Sequence, residues 1–200
     1  MATPPSTQSS PKLPSRATRR LVAWNLLSLA ILLLGAGWIW LSAAPAGTTA
    51  AGEIPAPRAG FLAPDFSLPD GEGNLTTLSE LRGQAALVNL WASWCTPCQA
   101  EMPAMQRVYE EYRDQGFIIL AVNAAQQDSQ AAAAQFAAEH GLTFPILYDL
   151  DGSVARSYRL SALPTSFFIL PDGTIQEVVI GGPMAEALLR ARVEQLLEKR

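Results

Sequence analysis

Two cysteines, Cys95 and Cys98, are the residues whose type and spacing could do chemistry. They are the only cysteines among the 200 residues, and Thr96 and Pro97 separate them. A cysteine thiolate is a nucleophile and a metal ligand. A structural zinc site takes about four ligands, and His140 is the only histidine. The pair therefore indicates redox chemistry without a metal or other cofactor. The alternative is two inert core cysteines.

The pair falls where a strand is predicted to give way to a helix. Residues 85–92 (AALVNLWA) form an apolar run typical of a strand buried on both faces, and a helical pattern follows over residues 97–115. Unpaired N–H groups and the dipole at a helix N-terminus stabilise a thiolate at Cys95. Cys98 lies on the same side of the first turn, so the two sulfurs can meet.

The rest of the chain alternates between strand and helix patterns. Further strands are predicted at residues 117–122, 144–147, 167–170 and 175–180, an alanine-rich helix capped by Asp128 ends near residue 141, and a last helix covers residues 183–198. Strand, helix and strand in succession favour a right-handed parallel unit. The turn at residues 171–173 favours an antiparallel hairpin. The prediction is one α/β domain over residues 61–200, with a mixed central sheet flanked by helices.

An apolar segment, residues 21–41, precedes this domain. It is uncharged, and about 20 residues suffice to cross a bilayer core of roughly 30 Å. Arg16, Arg19 and Arg20 lie just before it. The positive-inside bias predicts a single transmembrane helix with a cytoplasmic N-terminus and an extracytoplasmic domain, periplasmic or on the outer face. A cleaved signal peptide is the alternative, although its apolar core usually spans about 7–15 residues.

Two stretches beside this segment lack the large apolar side chains that a core needs. Residues 1–20 are rich in Pro, Ser and Thr and are predicted to be a disordered leader, and residues 42–60 a flexible linker. All 18 acidic residues, but only 10 of the 14 basic ones, lie from Glu53 onward. The domain therefore lacks the basic surface of a nucleic-acid-binding protein.

Three runs resemble the thioredoxin superfamily, and more closely its membrane-anchored TlpA/ResA-type branch, which overlaps with the cytochrome c maturation thioredoxins. They are residues 64–68 (PDFSL), 88–103 (VNLWASWCTPCQAEMP) and 163–167 (LPTSF). The resemblance covers about residues 64–200 and includes the redoxin, or AhpC/TSA-like, domain. It implies a thioredoxin-like fold with an N-terminal extension and an insertion at about residues 128–148.

The resemblance also implies a substrate-binding site. Pro164 corresponds to the family's cis-proline, whose cis bond would expose the backbone of Leu163 to a substrate strand. Leu163, Pro164 and Thr165 are therefore candidate substrate contacts, together with Trp94 at the rim of the dithiol. The alternative for Pro164 is a trans proline that begins a strand.

Glu101 is the candidate proton carrier. Ordinary thioredoxins keep a buried aspartate where this chain has Asn89. In the TlpA/ResA branch a glutamate at the position of Glu101 tunes the cysteine pKa values, and a carboxyl group with a pKa raised by burial would suit proton transfer. The alternative is a solvated glutamate in the first helical turn, stabilised only by the helix dipole.

Together these features predict an exported thiol:disulfide oxidoreductase with a redox-active Cys95–Cys98 disulfide. Residues 96 and 97 supply no cation, so the thiolate gains less stabilisation and a protein-disulfide reductant is favoured. Its reducing power must then come from a membrane thiol electron donor. The family resemblance suggests apocytochrome c as a substrate.

Three other functions stay open. They are an exported disulfide oxidant, a copper-binding assembly module and a thiol peroxidase of the peroxiredoxin type. A copper module usually adds a histidine ligand. A peroxiredoxin would have Thr and Pro where this chain has Ala92 and Val88, which argues against a peroxidase.

Overall fold

The computed structural model of the protein describes residues 24–25, 27–35, 38 and 54–199. The chain divides into two compact units, and the described residues up to 38, all helical, belong to the first. Within these described ranges, no helix has both the length and the apolar character that crossing a membrane requires. The predicted leader at residues 1–20 lies outside the described residues, as do parts of the predicted anchor (21–41) and linker (42–60).

The second unit is built on a five-stranded sheet with the strand order β5-β4-β3-β6-β7. β3 and β4 pair in parallel, as do β4 and β5, whereas β6 runs antiparallel to both of its neighbours. The predicted mixed sheet, parallel unit and hairpin are confirmed. The elements in chain order are β1 (Ser67–Pro69), β2 (Leu75–Thr77), β3 (Ala85–Trp91), α1 (Thr96–Tyr112), β4 (Phe117–Asn123), α2 (Gln130–Glu139), β5 (Ile146–Tyr148), α3 (Ser153–Ser157), β6 (Thr165–Ile169), β7 (Ile175–Ile180) and α4 (Glu186–Leu197).

β3 is the central strand, and all of its residues are buried. Because successive side chains of a strand point to opposite faces, Leu87 and Trp91 enter the core formed with α1 and α4, while Val88 and Leu90 enter the core on the other face. Each buried side chain of this size contributes about 1.5–3 kcal/mol. Asn89 shares the face of Leu87 and Trp91, so its polar side chain points towards the helices.

Element boundaries differ from the predictions by a few residues. The helix predicted for residues 97–115 is α1 followed by a 3₁₀ turn at Arg113–Gln115, and Gly116 ends it with a φ of 85°. α4 begins at Glu186, after the predicted start at Pro183, and β5 lies two residues beyond the start predicted for its strand. The short antiparallel pair of β1 and β2 and the one-turn helix α3 were not predicted.

Candidate active site

The disulfide between Cys95 and Cys98 lies where β3 gives way to α1. The S–S distance is 2.09 Å, and the two Cα atoms are 5.2 Å apart. Cys95 is the N-cap of α1, and its Sγ accepts a hydrogen bond from the backbone N–H of Cys98 at 3.3 Å. The N–H groups of a first helical turn have no partner within the helix. The same geometry therefore directs a donor and the positive end of the helix dipole at a Cys95 thiolate.

The two cysteines differ in their surroundings. Cys95 is 4% exposed and lines an open cleft of about 520 Å³, whereas Cys98 is fully buried. A partner disulfide can therefore reach Cys95 first, and Cys98 can resolve the bond that forms there. The residues that line the cleft all have uncharged side chains, and they are Trp94, Cys95, Thr96, Pro97, Gln127, Leu160, Ser161, Ala162 and Leu163.

Glu101 lies one helical turn after Cys98 and is 1% exposed, so the alternative of a solvated glutamate is wrong. Its Oε1 accepts a hydrogen bond from Asn89 Nδ2 at 2.9 Å, and its Oε2 accepts one from the backbone N–H of Met184 at 3.1 Å. Burial raises the pKa of Glu101 above its ordinary value, although the two hydrogen bonds oppose the rise. Such a carboxyl group can exchange a proton closer to neutral pH than an exposed glutamate can.

Asn89 contacts Glu101 from the sheet. Its Nδ2 donates to Glu101 and also to Ser166 Oγ on β6, at 2.9 Å in each case. Its own Oδ1 is buried without a hydrogen-bond partner. Ser166 was not predicted as a site residue. The available signal was its place within the LPTSF run, and the register of β3 and β6 sets it opposite Asn89.

A segment at residues 181–184 (Gly-Gly-Pro-Met) connects β7 to α4 and packs against the site. The backbone N–H of Gly181 donates to the carbonyl of Pro164 at 2.8 Å, and Met184 holds Glu101. A Cβ atom on Gly182 would lie 2.8 Å from both Glu101 Oε2 and Pro164 Cγ, so the close approach requires glycine. Sequence patterns did not identify this segment, although Gly-Gly-Pro is a turn signal.

The peptide bond between Leu163 and Pro164 is cis, as the resemblance implied. Leu163 lines the cleft beside Cys95. Pro164 and Thr165 are buried, and the Thr165 hydroxyl donates to the carbonyl of Ala162 at 2.7 Å. The structure therefore brings Leu163, but neither Pro164 nor Thr165, to the lining of the cleft.

Trp94 forms the rim of the cleft and is 57% exposed. Its Nε1 donates to the carbonyl of Gln127 at 2.9 Å. This hydrogen bond orients the indole while most of its surface stays accessible to a partner. Trp94 therefore lies at the rim, as predicted, and its contact with a substrate stays a prediction.

Asp128 fixes the loop that leads into Cys95. Its carboxylate accepts hydrogen bonds from the backbone N–H and the hydroxyl of Ser93, from Asn123 Nδ2 and from the backbone N–H of Ser129. Burial alone would raise the pKa of Asp128, but these hydrogen bonds outweigh burial and hold the pKa below its ordinary value. The prediction that Asp128 caps α2 is wrong. Ser129 is the N-cap, because Ser93 and Asn123 engage the Asp128 carboxylate.

Within the part of the chain that the structure describes, no group of three or more His, Cys, Asp or Glu residues could hold a metal ion. His140 is the C-cap of α2, and its ring stacks on that of Phe136 with 4.0 Å between the centroids. Its Nδ1 lies 2.9 Å from the carbonyl oxygen of Phe136. His140 therefore caps the C-terminus of α2.

Dithiol–disulfide exchange is the chemistry that this fold and this site define, and the class of protein is a thioredoxin-like thiol:disulfide oxidoreductase. A family model agrees with this class. The model of the AhpC/TSA family matches residues 59–178, and the chain belongs to that family.

The chain is also similar to curated thiol-disulfide oxidoreductases and to solved structures of the same class. The chain is 35% identical over 161 residues to the thiol-disulfide oxidoreductase ResA of Bacillus subtilis, covering 80% of this chain and 85% of the relative. It is 38% identical to ResA of Geobacillus kaustophilus, covering 69% and 78%. StoA from Bacillus subtilis superposes with a TM-score of 0.57 at 29% identity, covering 64% of this chain and 96% of StoA. A secreted Mycobacterium tuberculosis disulfide oxidoreductase homologous to Escherichia coli DsbE superposes with a TM-score of 0.59 at 25% identity, covering 65% and 95%.

Proposed function

We propose that the protein is a membrane-tethered, extracytoplasmic reductant of protein disulfides. The observation that carries the proposal is the arrangement of three groups. Cys95 borders an uncharged cleft, Cys98 is buried behind it, and Glu101 is buried one turn further along α1 with a raised pKa. This order supplies a nucleophile, a resolving thiol and a proton carrier.

The exchange begins with the reduced dithiol. The Cys95 thiolate attacks one sulfur of the substrate disulfide, a mixed disulfide forms, and the other substrate sulfur leaves as a thiolate. Glu101 then accepts the proton of the Cys98 thiol. The Cys98 thiolate attacks the Cys95 sulfur, closes the Cys95–Cys98 disulfide and releases the second substrate thiolate. The substrate gains two electrons, the protein loses two, and the proton on Glu101 is available to the released thiolate.

The reducing direction follows from what stabilises the thiolate. Strong oxidants of this type stabilise their reduced thiolate heavily, whereas Thr96 and Pro97 add no cation to the helix dipole at Cys95. The equilibrium of the Cys95–Cys98 pair with glutathione tests this direction. A reductant should have a potential below about −250 mV, and a value near −120 mV would instead identify an exported oxidant.

The membrane tether and the external location are supported by the uncharged segment at residues 21–41 and by the three arginines before it. After each turnover the Cys95–Cys98 disulfide must be reduced again outside the cytoplasm, so the proposal includes a membrane thiol electron donor. The substrate class is disulfide-bonded proteins, and apocytochrome c with an oxidised haem-binding cysteine pair is the proposed client. Protease digestion of spheroplasts and of lysed cells tests the location, since only an extracytoplasmic domain is cleaved in both.

The decisive experiment is substrate trapping with the full-length chain. Cys98→Ala should retain partners on Cys95 as mixed disulfides that a thiol reductant releases. Cys95→Ala is the matched control and should retain none, because Cys98 is buried. Recovery of apocytochrome c supports the proposed client, and recovery of other disulfide proteins alone would replace it. Absence of any mixed disulfide would contradict the exchange mechanism.

A thiol peroxidase is the second candidate, because the matching family model carries the AhpC/TSA name. Ala92 and Val88 occupy the positions at which a peroxiredoxin would have Thr and Pro, so the peroxide-binding groups are missing. We expect no turnover of hydrogen peroxide by the reduced protein above the rate of a free thiol. Rapid turnover that Cys95→Ala abolishes would favour the peroxidase.

A further inference from the structure

Asn89 and Glu101 form a buried pair whose hydrogen bonds suit only the ionised state of Glu101. Asn89 Nδ2 donates to Oε1 at 2.9 Å, and the backbone N–H of Met184 donates to Oε2 at 3.1 Å. Both carboxylate oxygens therefore face a donor. A proton added to Glu101 needs an acceptor, which neither an amide nitrogen nor a backbone N–H provides.

The missing acceptor belongs to the same Asn89 side chain. Asn89 is fully buried, and its Oδ1 has no hydrogen-bond partner. Turning the amide over would exchange Nδ2 and Oδ1, so that Oδ1 would face Glu101 and Ser166. The Ser166 hydroxyl accepts from Nδ2 at 2.9 Å and could donate to Oδ1 instead, because a hydroxyl group does both.

Each orientation leaves one polar atom of Asn89 unpaired, so the amide itself has little preference. The proton on Glu101 decides between them, because an ionised carboxylate needs the donor and a protonated one needs the acceptor. We propose that Asn89 is a positioning residue that turns its side-chain amide over whenever Glu101 gains a proton. The buried site then keeps its hydrogen bonds in both protonation states. The inference deepens the proposed function and rests on the role of Glu101 as proton carrier.

An aspartate at position 89 could not act in this way. An ionised aspartate has no donor for Glu101, and it would place a second carboxyl group about where Asn89 Nδ2 now lies, 2.9 Å from Oε1. Two carboxyl groups so close cannot both ionise near neutral pH. The amide of Asn89 therefore leaves Glu101 as the single titrating carboxyl group of this pair.

The charged side chains near Glu101 form hydrogen bonds with one another and not with the Glu101 carboxylate. Besides Cys98, α1 carries Arg107, Tyr109, Glu110, Glu111 and Tyr112, β7 carries Glu177, and α4 carries Glu186, Arg190, Arg192 and Glu194. Arg107 and Arg190 pair with Glu111 and Glu186, and Tyr112 donates to Glu194. Arg192 donates two hydrogen bonds of 2.8 Å to Glu177, and its Nη1 lies 3.5 Å from Met184 Sδ. Asn89 and the Met184 N–H are thus the described groups that bond to the Glu101 carboxylate.

The first test follows the full-length chain, labelled with ¹³C and ¹⁵N, through a pH titration by NMR. The side-chain amide signals of Asn89 should change with the midpoint at which the Glu101 carboxyl carbon titrates, and Glu101→Gln should abolish that change. Asn123 is the matched control. It also donates to a carboxylate and has an unpaired Oδ1, but the pKa of its partner Asp128 is lowered, so its amide signals should respond only at lower pH.

Constant Asn89 signals while Glu101 titrates would overturn the inference, and so would a response that persists in Glu101→Gln. The second test is the pH profile of the step in which Cys98 resolves a mixed disulfide. In Asn89→Asp, the part of this pH profile that depends on Glu101 should shift to higher pH by about one pH unit or more. An unchanged profile would count against the inference. If the amide follows Glu101 but Glu101→Gln exchanges disulfides at the full rate, the proposed proton carrier fails and the amide rotation stands.

Discussion

Asp128 lies 35 residues beyond Ser93, yet its carboxylate accepts hydrogen bonds from both the backbone N–H and the hydroxyl of Ser93, at 2.6 Å each. Ser93 is two residues before Cys95, so these bonds tie the end of α1 that carries the dithiol to the loop before α2. The backbone carbonyl of Ser93 is also engaged, since it accepts a hydrogen bond from Gln99 Nε2 at 2.5 Å. The position of Cys95 therefore depends on a contact between two distant parts of the chain.

Asp128→Ala is expected to lower the free energy of unfolding by about 1–3 kcal/mol, because Ser93 and Asn123 lose the acceptor of their hydrogen bonds. Denaturant unfolding measures the change, and Asp114→Ala, whose side chain is 89% exposed, is the control with little effect.

The pKa of Asp128 is lowered from 3.8, so its contribution to stability is present above pH 3.8 and is lost as the pH falls through the folded value. The difference between the wild type and Asp128→Ala should therefore shrink in acid, and a constant difference would contradict this assignment.

Glu101→Gln is expected to slow disulfide exchange by about 10²-fold or more, because general acid–base groups contribute on that order. Stopped-flow reduction of a model disulfide measures the rate as a function of pH. The variant should lose the pH-dependent limb that belongs to Glu101, while the alkylation of Cys95 by a small reagent stays close to that of the wild type. A full rate with an unchanged pH profile would remove Glu101 from the mechanism.

Glu101 should also make the stability of the protein depend on pH, in the direction opposite to that expected for Asp128. The pKa of Glu101 is raised from 4.5 by burial, so its contribution to stability is fully present below pH 4.5 and is lost as the pH rises through the folded value. The wild type should therefore lose stability relative to Glu101→Gln as the pH increases over this window. Denaturant unfolding of both proteins at several pH values measures the effect, and parallel curves would refute it.

Gly182→Ala is expected to destabilise the protein by about 1–3 kcal/mol, because its Cβ would overlap Glu101 and Pro164. Displacement of Glu101 should also slow disulfide exchange. Gly71→Ala is the matched control, since a Cβ there would lie 3.9 Å from the nearest atom, in ordinary contact. Thermal unfolding and exchange rates compare the two variants, and equal effects of both would show that the 181–184 segment tolerates a side chain.

Trp94→Ala is expected to raise the KM for a protein disulfide several-fold with little change in kcat, because the exposed indole contributes binding surface at the rim of the cleft. Trp94→Phe keeps an aromatic ring but loses the hydrogen bond to Gln127, so it separates contact area from orientation. Steady-state kinetics with a protein substrate gives both constants. A fall in kcat alone would place Trp94 in the chemical step instead.

Local patterns were sufficient to determine the order of the longer elements and the place of the dithiol. Strand and helix periods depend on near neighbours in the chain, which is why β3, α1 and the hairpin of β6 and β7 were predicted within a few residues. The cysteine pair was identified for the same reason, since its spacing and its position at a strand end are visible in one short run. Short elements such as β1, β2 and α3 carry too few residues to show a period.

Only the tertiary structure decided which buried polar groups meet. Glu101 is held by Asn89, 12 residues before it, and by Met184, 83 residues after it. Asp128, in the loop before α2, accepts hydrogen bonds from Ser93. A buried carboxylate takes whichever donors the packed chain brings within reach, because leaving it unpaired costs several times what one hydrogen bond contributes. Such partners are distant in sequence and become neighbours only when the sheet and its helices are assembled.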